Sequence, residues 1–125
     1  MTLKDLKNDR EITAIVSVSE EQIEMLGYTE HSIRHVSIVA KRAGELLKKL
    51  GYDEHTVELA EIAGYLHDIG NSVSRIDHAQ SGAILSYHLL TARGMDYKDA
   101  AQIMMAAALR RASLPREMAA PPMMG

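Results

Sequence analysis

The chain has 125 residues, of which 46% are hydrophobic and 25% charged, and these values indicate one globular domain with its own core. A net charge of -3 provides no basic field for nucleic acid, and the absence of cysteine excludes disulfides, thiol nucleophiles and Cys-ligated zinc. The N-terminal segment lacks the apolar run of a signal peptide, and no stretch is apolar enough to span a membrane, so we expect a cytoplasmic protein. Prolines occur only in the last eleven residues, and Ala, Leu, Met, Glu and Lys are common, which favours an all-α domain.

The N-terminal part of the chain is predicted to be helical. Residues 1–8 form a short first helix, and apolar residues at helical spacing continue from Glu11 to Leu26. Ser19 followed by Gln22 fits a capping box, which favours a new helix starting there, so this segment is predicted as one helix or two. Gly27 ends the pattern.

The middle of the chain contains the two helices that matter most for function. The clearer one runs from His31 to Leu50, where apolar residues recur in steps of three and four and the following glycine caps the end. The next helix, from Glu54 to Ile69, is capped by Asp53 and is apolar around much of its circumference, which is typical of the centre of a bundle. Gly70-Asn71 is expected to stop this helix in the left-handed conformation.

Two further helices are predicted after a loop. Asp77 is the predicted N-cap of a helix from His78 to about Thr91, and a last helix reaches about Leu109. We therefore predict a helical domain over residues 1–108. Residues 109–125, rich in Arg, Ala, Pro and Met without sustained periodicity, are predicted to be a disordered tail.

His67 and Asp68 stand side by side at the carboxyl end of the apolar helix. Adjacent helical residues point about 100° apart, but at the last turn both side chains can reach one ion, and the free carbonyls there attract a cation. Asp68 is costly to bury among apolar neighbours unless a charge compensates it. The alternative is that Asp68 only hydrogen-bonds the turn that follows, and from this dipeptide alone that is the simpler interpretation.

Other histidines can join this pair. His35 lies on the first full turn of the clear helix and can face the interior, while His31, one turn earlier, completes a His-x-x-x-His spacing that can bind zinc but sits at a fraying helix start. His78 opens the next helix and can face the same cleft, with a solvent-exposed position as the alternative. The remaining two histidines are predicted to be exposed or structural: His55 and His88.

Nitrogen and oxygen ligands without cysteine suit a transition metal or magnesium. A histidine–carboxylate site with open positions can activate water and orient phosphoryl oxygens. The sequence contains no P-loop, no dinucleotide-binding glycine motif and no Gly-x-Ser-x-Gly elbow.

Three segments together resemble the HD-domain superfamily of metal-dependent phosphohydrolases: YTEHSIRHVSIVAKRAG, LAEIAGYLHDIGN and DHAQSGAILSYHLL. A His-Asp pair alone is a weak signal. Here it ends an apolar helix, precedes Ile-Gly-Asn and follows a histidine 32 residues upstream, and this combination is fairly specific. The resemblance covers about residues 28–105 and outweighs the simpler interpretations of the single residues.

The resemblance implies an all-α, HD-domain-like bundle of about five to six helices. It implies that His35, His67 and Asp68 bind a divalent metal, with Mn, Fe, Ni, Zn and Mg not distinguished. It also implies hydrolysis of a phosphate ester of a nucleotide-type substrate by metal-activated water, with His67 and Asp68 as the catalytic residues. His78 matches the histidine that helps hold a second ion or the substrate phosphate, and Arg34 is a further candidate for contacting that phosphate.

The family pattern closes with an Asp on a later helix, and no Asp or His follows Asp99 in this sequence. We therefore expect a truncated or altered C-terminus, for example from a shifted reading frame, and a weakened metal site. The alternative function is a non-catalytic helical module that binds a nucleotide or a protein. The expected partner is a small phosphorylated, nucleotide-like substrate. Neither duplex nucleic acid nor a membrane is expected, and homo-oligomerisation is left open.

Overall fold

The computed structural model describes residues 1–27, 33–74 and 76–113, without the side chains of residues 33, 34 and 109–113. Over these ranges the chain forms one short 3-10 helix, Ile69–Ser72, and six α-helices: α1 (Leu3–Lys7), α2 (Arg10–Met25), α3 (Ile33–Lys49), α4 (Glu54–Tyr65), α5 (His78–Ala92) and α6 (Tyr97–Ser113). The described residues contain no strand, and the all-α bundle is therefore confirmed. None of the described helices has the length and apolarity needed to cross a membrane.

The helices pack in two pairs joined around the 3-10 helix. α3 packs along α4 and α5 along α6, while α2 and α5 both contact the 3-10 helix. The shared core consists of buried apolar side chains from every α-helix: Leu6, Ile12, Val16, Val36, Ala40, Ile62, Tyr65, Leu66, Ile69, Leu89, Leu90, Met95, Ala100 and Ile103. The predicted apolar stripe of α3 is only partly buried, because Leu46 and Leu50 near its end are 58% and 63% exposed.

The segment predicted from Glu11 to Leu26 as one helix or two is a single continuous helix, α2. Asp9 caps α2 by accepting a hydrogen bond from the Ile12 nitrogen at 3.0 Å. The hydroxyl of Ser19 donates to the Val16 carbonyl at 2.8 Å within the helix, so the predicted capping box at Ser19 is wrong. The capping box forms instead at α1, where Thr2 and Asp5 bond each other's backbone nitrogens at 3.2 and 2.8 Å.

The prediction that α4 continues to Ile69 is wrong, because α4 ends at Tyr65. Beyond it the backbone bonds span three residues, as in Ile69 nitrogen to Leu66 oxygen at 3.2 Å, which winds the chain more tightly than an α-helix. Side chains compete for the same carbonyls: Asn71 donates to the Asp68 oxygen at 2.9 Å and Ser72 to the Ile69 oxygen at 2.6 Å. The His67-Asp68 pair therefore lies in the turn between α4 and the 3-10 helix, not on the last turn of an α-helix.

Two glycines allow helices to approach closely near that turn. A Cβ atom on Gly64 would lie 3.0 Å from the Ala40 Cα, so α3 and α4 touch at their backbones. A Cβ on Gly70 would overlap the His78 carbonyl oxygen and lie 2.6 Å from the Gly82 nitrogen. The left-handed stop predicted at Gly70 is wrong, because Gly70 is not among the described glycines with a positive φ. The absence of a side chain at Gly70 instead allows its backbone to lie close to that of α5.

The C-terminal helices begin where expected. Asp77 precedes α5 in a left-handed conformation (φ 56°) and makes no side-chain cap bond to the helix. Asp96 accepts from the Lys98 and Asp99 nitrogens at 3.1 and 3.3 Å and so starts α6, which continues to Ser113, past its predicted end. The domain boundary at residue 108 stays a prediction, and most of the predicted tail, from residue 114 onward, lies outside the described residues.

Candidate metal centre

Asp68 is at the centre of the candidate site. Only 4% of its surface is exposed, and its neighbour His67 is 8% exposed. The Oδ2 atom of Asp68 lies 2.9 Å from Nε2 of His67, and its Oδ1 atom lies 3.9 Å from Nε2 of His78. A buried carboxylate thus faces imidazoles from its own turn and from the start of α5.

His67 is held from both sides. Its Nδ1 atom lies 2.7 Å from the Gly64 carbonyl oxygen, which can only accept, so Nδ1 donates. Its Nε2 atom faces the Asp68 carboxylate, another acceptor. The two contacts together fix the orientation of the imidazole ring. A backbone carbonyl on the distal nitrogen is the usual way in which a metal-binding histidine is oriented.

His35 approaches this pair from α3. Its ring centre lies 6.0 Å from that of His67, with the ring planes inclined by 61°. The close crossing of α3 and α4 at Ala40 and Gly64 brings the two helices near enough for this contact. The structure thus brings together four of the residues predicted from sequence: His35, His67, Asp68 and His78.

Glu20 is a residue that the sequence analysis missed. It is 6% exposed on the inner face of α2, and neither of its carboxylate oxygens has a hydrogen-bond partner in the described structure. Burial, reinforced by the nearby Asp68 carboxylate, raises the Glu20 pKa to about 7. The signal was present in the sequence: Glu20 stands four residues after Val16 and three before Ile23, on the apolar stripe of its helix.

The donor set fits a divalent cation in its chemistry. Imidazole nitrogens and a buried carboxylate oxygen are ligands that transition metals accept, and His67 is oriented as a ligand would be. Within the described residues, however, no three His, Asp or Glu side chains are gathered so that one ion contacts all of them. The described side chains alone therefore do not form a complete three-ligand site.

The other predicted residues fall into two groups. His31 lies outside the described residues, and Arg34 belongs to α3 but its side chain is not described, so neither prediction is tested. His55 has an exposed ring paired with Asp99 at 2.9 Å, and the exposed His88 packs edge-on against Tyr87. The surface or structural role predicted for the last two histidines is confirmed.

A cavity of about 360 Å³ lies between α1, α3 and α4, beside the cluster rather than within it. Its lining residues are Leu3, Lys7, Ser37, Ile38, Lys41 and Glu61. It includes none of the clustered histidines or carboxylates, and we do not assign it to a substrate.

Comparison with known protein families identifies the fold. A family model described as the HD domain matches residues 30–119, most of the chain. No curated protein and no solved structure matches the chain. The family match agrees with the helical bundle and with the placement of the His-Asp pair between its helices, and the chain belongs to the HD-domain family.

Proposed function

We propose that the chain is a metal-dependent phosphohydrolase that hydrolyses a phosphate ester of a nucleotide-type substrate. Membership of the HD-domain family supports the general class. The observation that carries the proposal is Asp68, a buried carboxylate whose two oxygens face His67 and His78. A soluble domain tolerates such a group at its centre when it is neutralised by a partner or an ion.

In this proposal His35, His67 and Asp68 hold the divalent metal, which supplies a water of lowered pKa and a charge that attracts phosphoryl oxygens. The Gly64 carbonyl accepts a hydrogen bond from Nδ1 of His67, which would leave Nε2 as the nitrogen that binds the ion. Asp68 would provide the negative charge, and its second oxygen lies 3.9 Å from Nε2 of His78. The proposed role of His78 is to contact the substrate phosphate, and Arg34 is proposed to add a second contact.

Metal content and phosphatase activity test this proposal together. The full chain is purified, depleted with EDTA and reloaded separately with Mn²⁺, Fe²⁺, Ni²⁺, Zn²⁺ or Mg²⁺. Turnover is then measured on p-nitrophenyl phosphate and on nucleoside phosphates. We expect metal-dependent release of phosphate, and we expect His67→Ala and Asp68→Ala to lose both bound metal and activity.

The matched control is His88→Ala, which removes an exposed histidine of α5. It should retain metal and turnover. Equal metal binding by wild type, His67→Ala and Asp68→Ala would exclude the site. Because the two site variants remove buried groups, circular dichroism is needed to verify that they remain helical.

A non-catalytic module that binds a nucleotide or a protein is the second candidate. The observation that favours it is that the described side chains form no ready-made group of three ligands. This candidate predicts nucleotide binding that is insensitive to EDTA and no turnover with any metal. Calorimetric titration with nucleotides, with and without EDTA, separates the two proposals.

A further inference from the structure

Within the described part of the chain, Glu20 is a buried carboxylate that the proposed function leaves unused. Its side chain is more than nine-tenths buried, and both oxygens lack a hydrogen-bond partner in the described structure. Leaving a carboxylate buried in this way costs several kcal/mol unless it takes up a proton or meets a cation. An uncompensated group of this kind indicates a site that is completed by something else.

The surroundings of Glu20 show where that compensation belongs. The groups that act electrostatically on its carboxylate are Asp68 and His67 across the interface, together with Glu24 on its own helix. α2 packs directly against the 3-10 helix that follows Asp68, so Glu20 faces the turn that carries the His-Asp pair. Among the side chains that the structure describes, neither a Lys nor an Arg is one of these groups.

The Asp68 carboxylate repels that of Glu20, and the imidazole of His67 opposes this effect only in part. A divalent cation at this place would remove the repulsion and supply Glu20 with the partner that it lacks in the described structure. Carboxylate oxygens combined with imidazole nitrogens form a donor set that suits Mn²⁺, Fe²⁺ or Zn²⁺.

We propose that Glu20 is a ligand of the metal centre, reaching it from α2, which lies outside the region matched by the HD-domain model. This inference rests on the proposed metal site. It extends the ligand set from the His-Asp turn and α3 to the N-terminal helix. It also explains why a charged residue occupies the apolar stripe of α2 at the point where the helix meets that turn.

Mn²⁺ titration of the EDTA-treated full chain, followed by electron paramagnetic resonance, tests the assignment without any substrate. Glu20→Gln keeps the volume and removes the charge, and it should raise the Kd for Mn²⁺ at least about tenfold. Glu20→Asp draws the carboxylate back by one methylene and should fall between wild type and Glu20→Gln. The matched control is Glu21→Gln, which changes an exposed neighbour on α2 and should bind as wild type does.

The Co²⁺-loaded protein gives a second readout that a purely structural role would not change. Loss of an oxygen ligand should alter the visible absorption of Co²⁺ in Glu20→Gln and leave it unchanged in Glu21→Gln. Wild-type Mn²⁺ affinity and an unchanged Co²⁺ spectrum in Glu20→Gln, with binding lost in His67→Ala, would overturn the role of Glu20 alone. Equal binding by wild type and His67→Ala, or no binding by either, would overturn the metal site and the role of Glu20 with it.

Discussion

The backbones of Gly70 and Gly82 meet so closely that a Cβ atom on Gly70 would come within 2.6 Å of the Gly82 nitrogen. This contact seats the 3-10 helix on the first turns of α5. It thereby fixes the distance between Asp68, which precedes the 3-10 helix, and His78, which begins α5. Packing at a pair of glycines thus sets the geometry of the candidate site.

Gly70→Ala should destabilise the fold, because the added methyl overlaps the backbone of α5. Overpacking of this kind typically costs about 1–3 kcal/mol, and the contact here is with backbone that cannot rotate away. Urea denaturation of the EDTA-treated protein measures the loss. Gly82→Ala is the matched control: its methyl would lie 3.1 Å from the Gly70 nitrogen and in a helix that favours alanine, so the cost should be smaller. Equal stability of the two variants would contradict this account of Gly70.

Removal of the metal should lower the stability of the wild-type protein. A ligand that binds only the folded state at 100 times its Kd stabilises it by about 2.7 kcal/mol. Thermal unfolding with EDTA and with saturating Mn²⁺ should therefore differ clearly in Tm. Asp68→Asn should show little or no difference, while His88→Ala should behave as wild type. A Tm that responds to Mn²⁺ equally in Asp68→Asn would show that the ion binds elsewhere.

The metal-free protein should lose stability as the pH rises, because of Glu20. Its pKa is raised from 4.5 to about 7 in the folded state by burial and by Asp68 and Glu24, against the opposing effect of His67. The folded state therefore holds the proton more tightly than the unfolded chain. That contribution is complete below about pH 4.5 and disappears as the pH passes through about 7.

The expected size of this effect is about 2–3 kcal/mol between acidic and mildly alkaline solution. Urea denaturation at a series of pH values in EDTA measures it. At each pH, the difference in unfolding free energy between Glu20→Gln and wild type separates the effect of Glu20 from that of the other titrating groups. The same difference for Glu21→Gln is the matched control. A difference between Glu20→Gln and wild type that does not change with pH would mean that Glu20 titrates normally.

Arg93 should stabilise the contact between the end of α5 and the start of α2. Its Nη2 atom donates to Oδ1 of Asp9 at 3.1 Å, and its Nη1 atom to the Leu89 carbonyl at 3.0 Å. Arg93→Met should therefore lower the Tm at neutral pH, and combining it with Asp9→Asn should cost less than the sum of the single changes. Arg10→Met, at an exposed position of α2, is the control. Strictly additive losses would show that the ion pair contributes nothing.

This ion pair also predicts the acid response. Hydrogen bonds from Arg93 and the Ile12 backbone lower the Asp9 pKa from 3.8 to about 2. Because the folded-state pKa is depressed, the contribution of Asp9 is present above about pH 4 and is lost as the pH falls through about 2. The Tm difference between wild type and Arg93→Met should shrink over that acidic range. If this Tm difference stays the same down to the lowest pH, the stabilisation by Arg93 comes from packing and not from its charge.

The order and type of the helices could be predicted from the sequence, because helical periodicity and capping residues are local properties. The His67-Asp68 pair with His35 upstream was recognisable for the same reason: residue types and spacing along the chain carry it. The end of α4 could not be predicted. The position of this end depends on which donors form hydrogen bonds to the backbone carbonyls: the N–H groups of the next turn, or side chains such as Asn71 and Ser72. The two sets of hydrogen bonds differ little in energy.

The tertiary structure alone decided which residues share the site. Glu20 is separated from Asp68 by almost fifty residues, and only the packing of α2 against the 3-10 helix brings its carboxylate to the His-Asp turn. The approach of His35 and His78 likewise depends on close helix contacts at Gly64 and Gly70, whose role is steric and appears only when the neighbouring backbone is in place. The sequence by itself thus determined the candidate ligands on local grounds, whereas burial and long-range packing decided their arrangement and added Glu20.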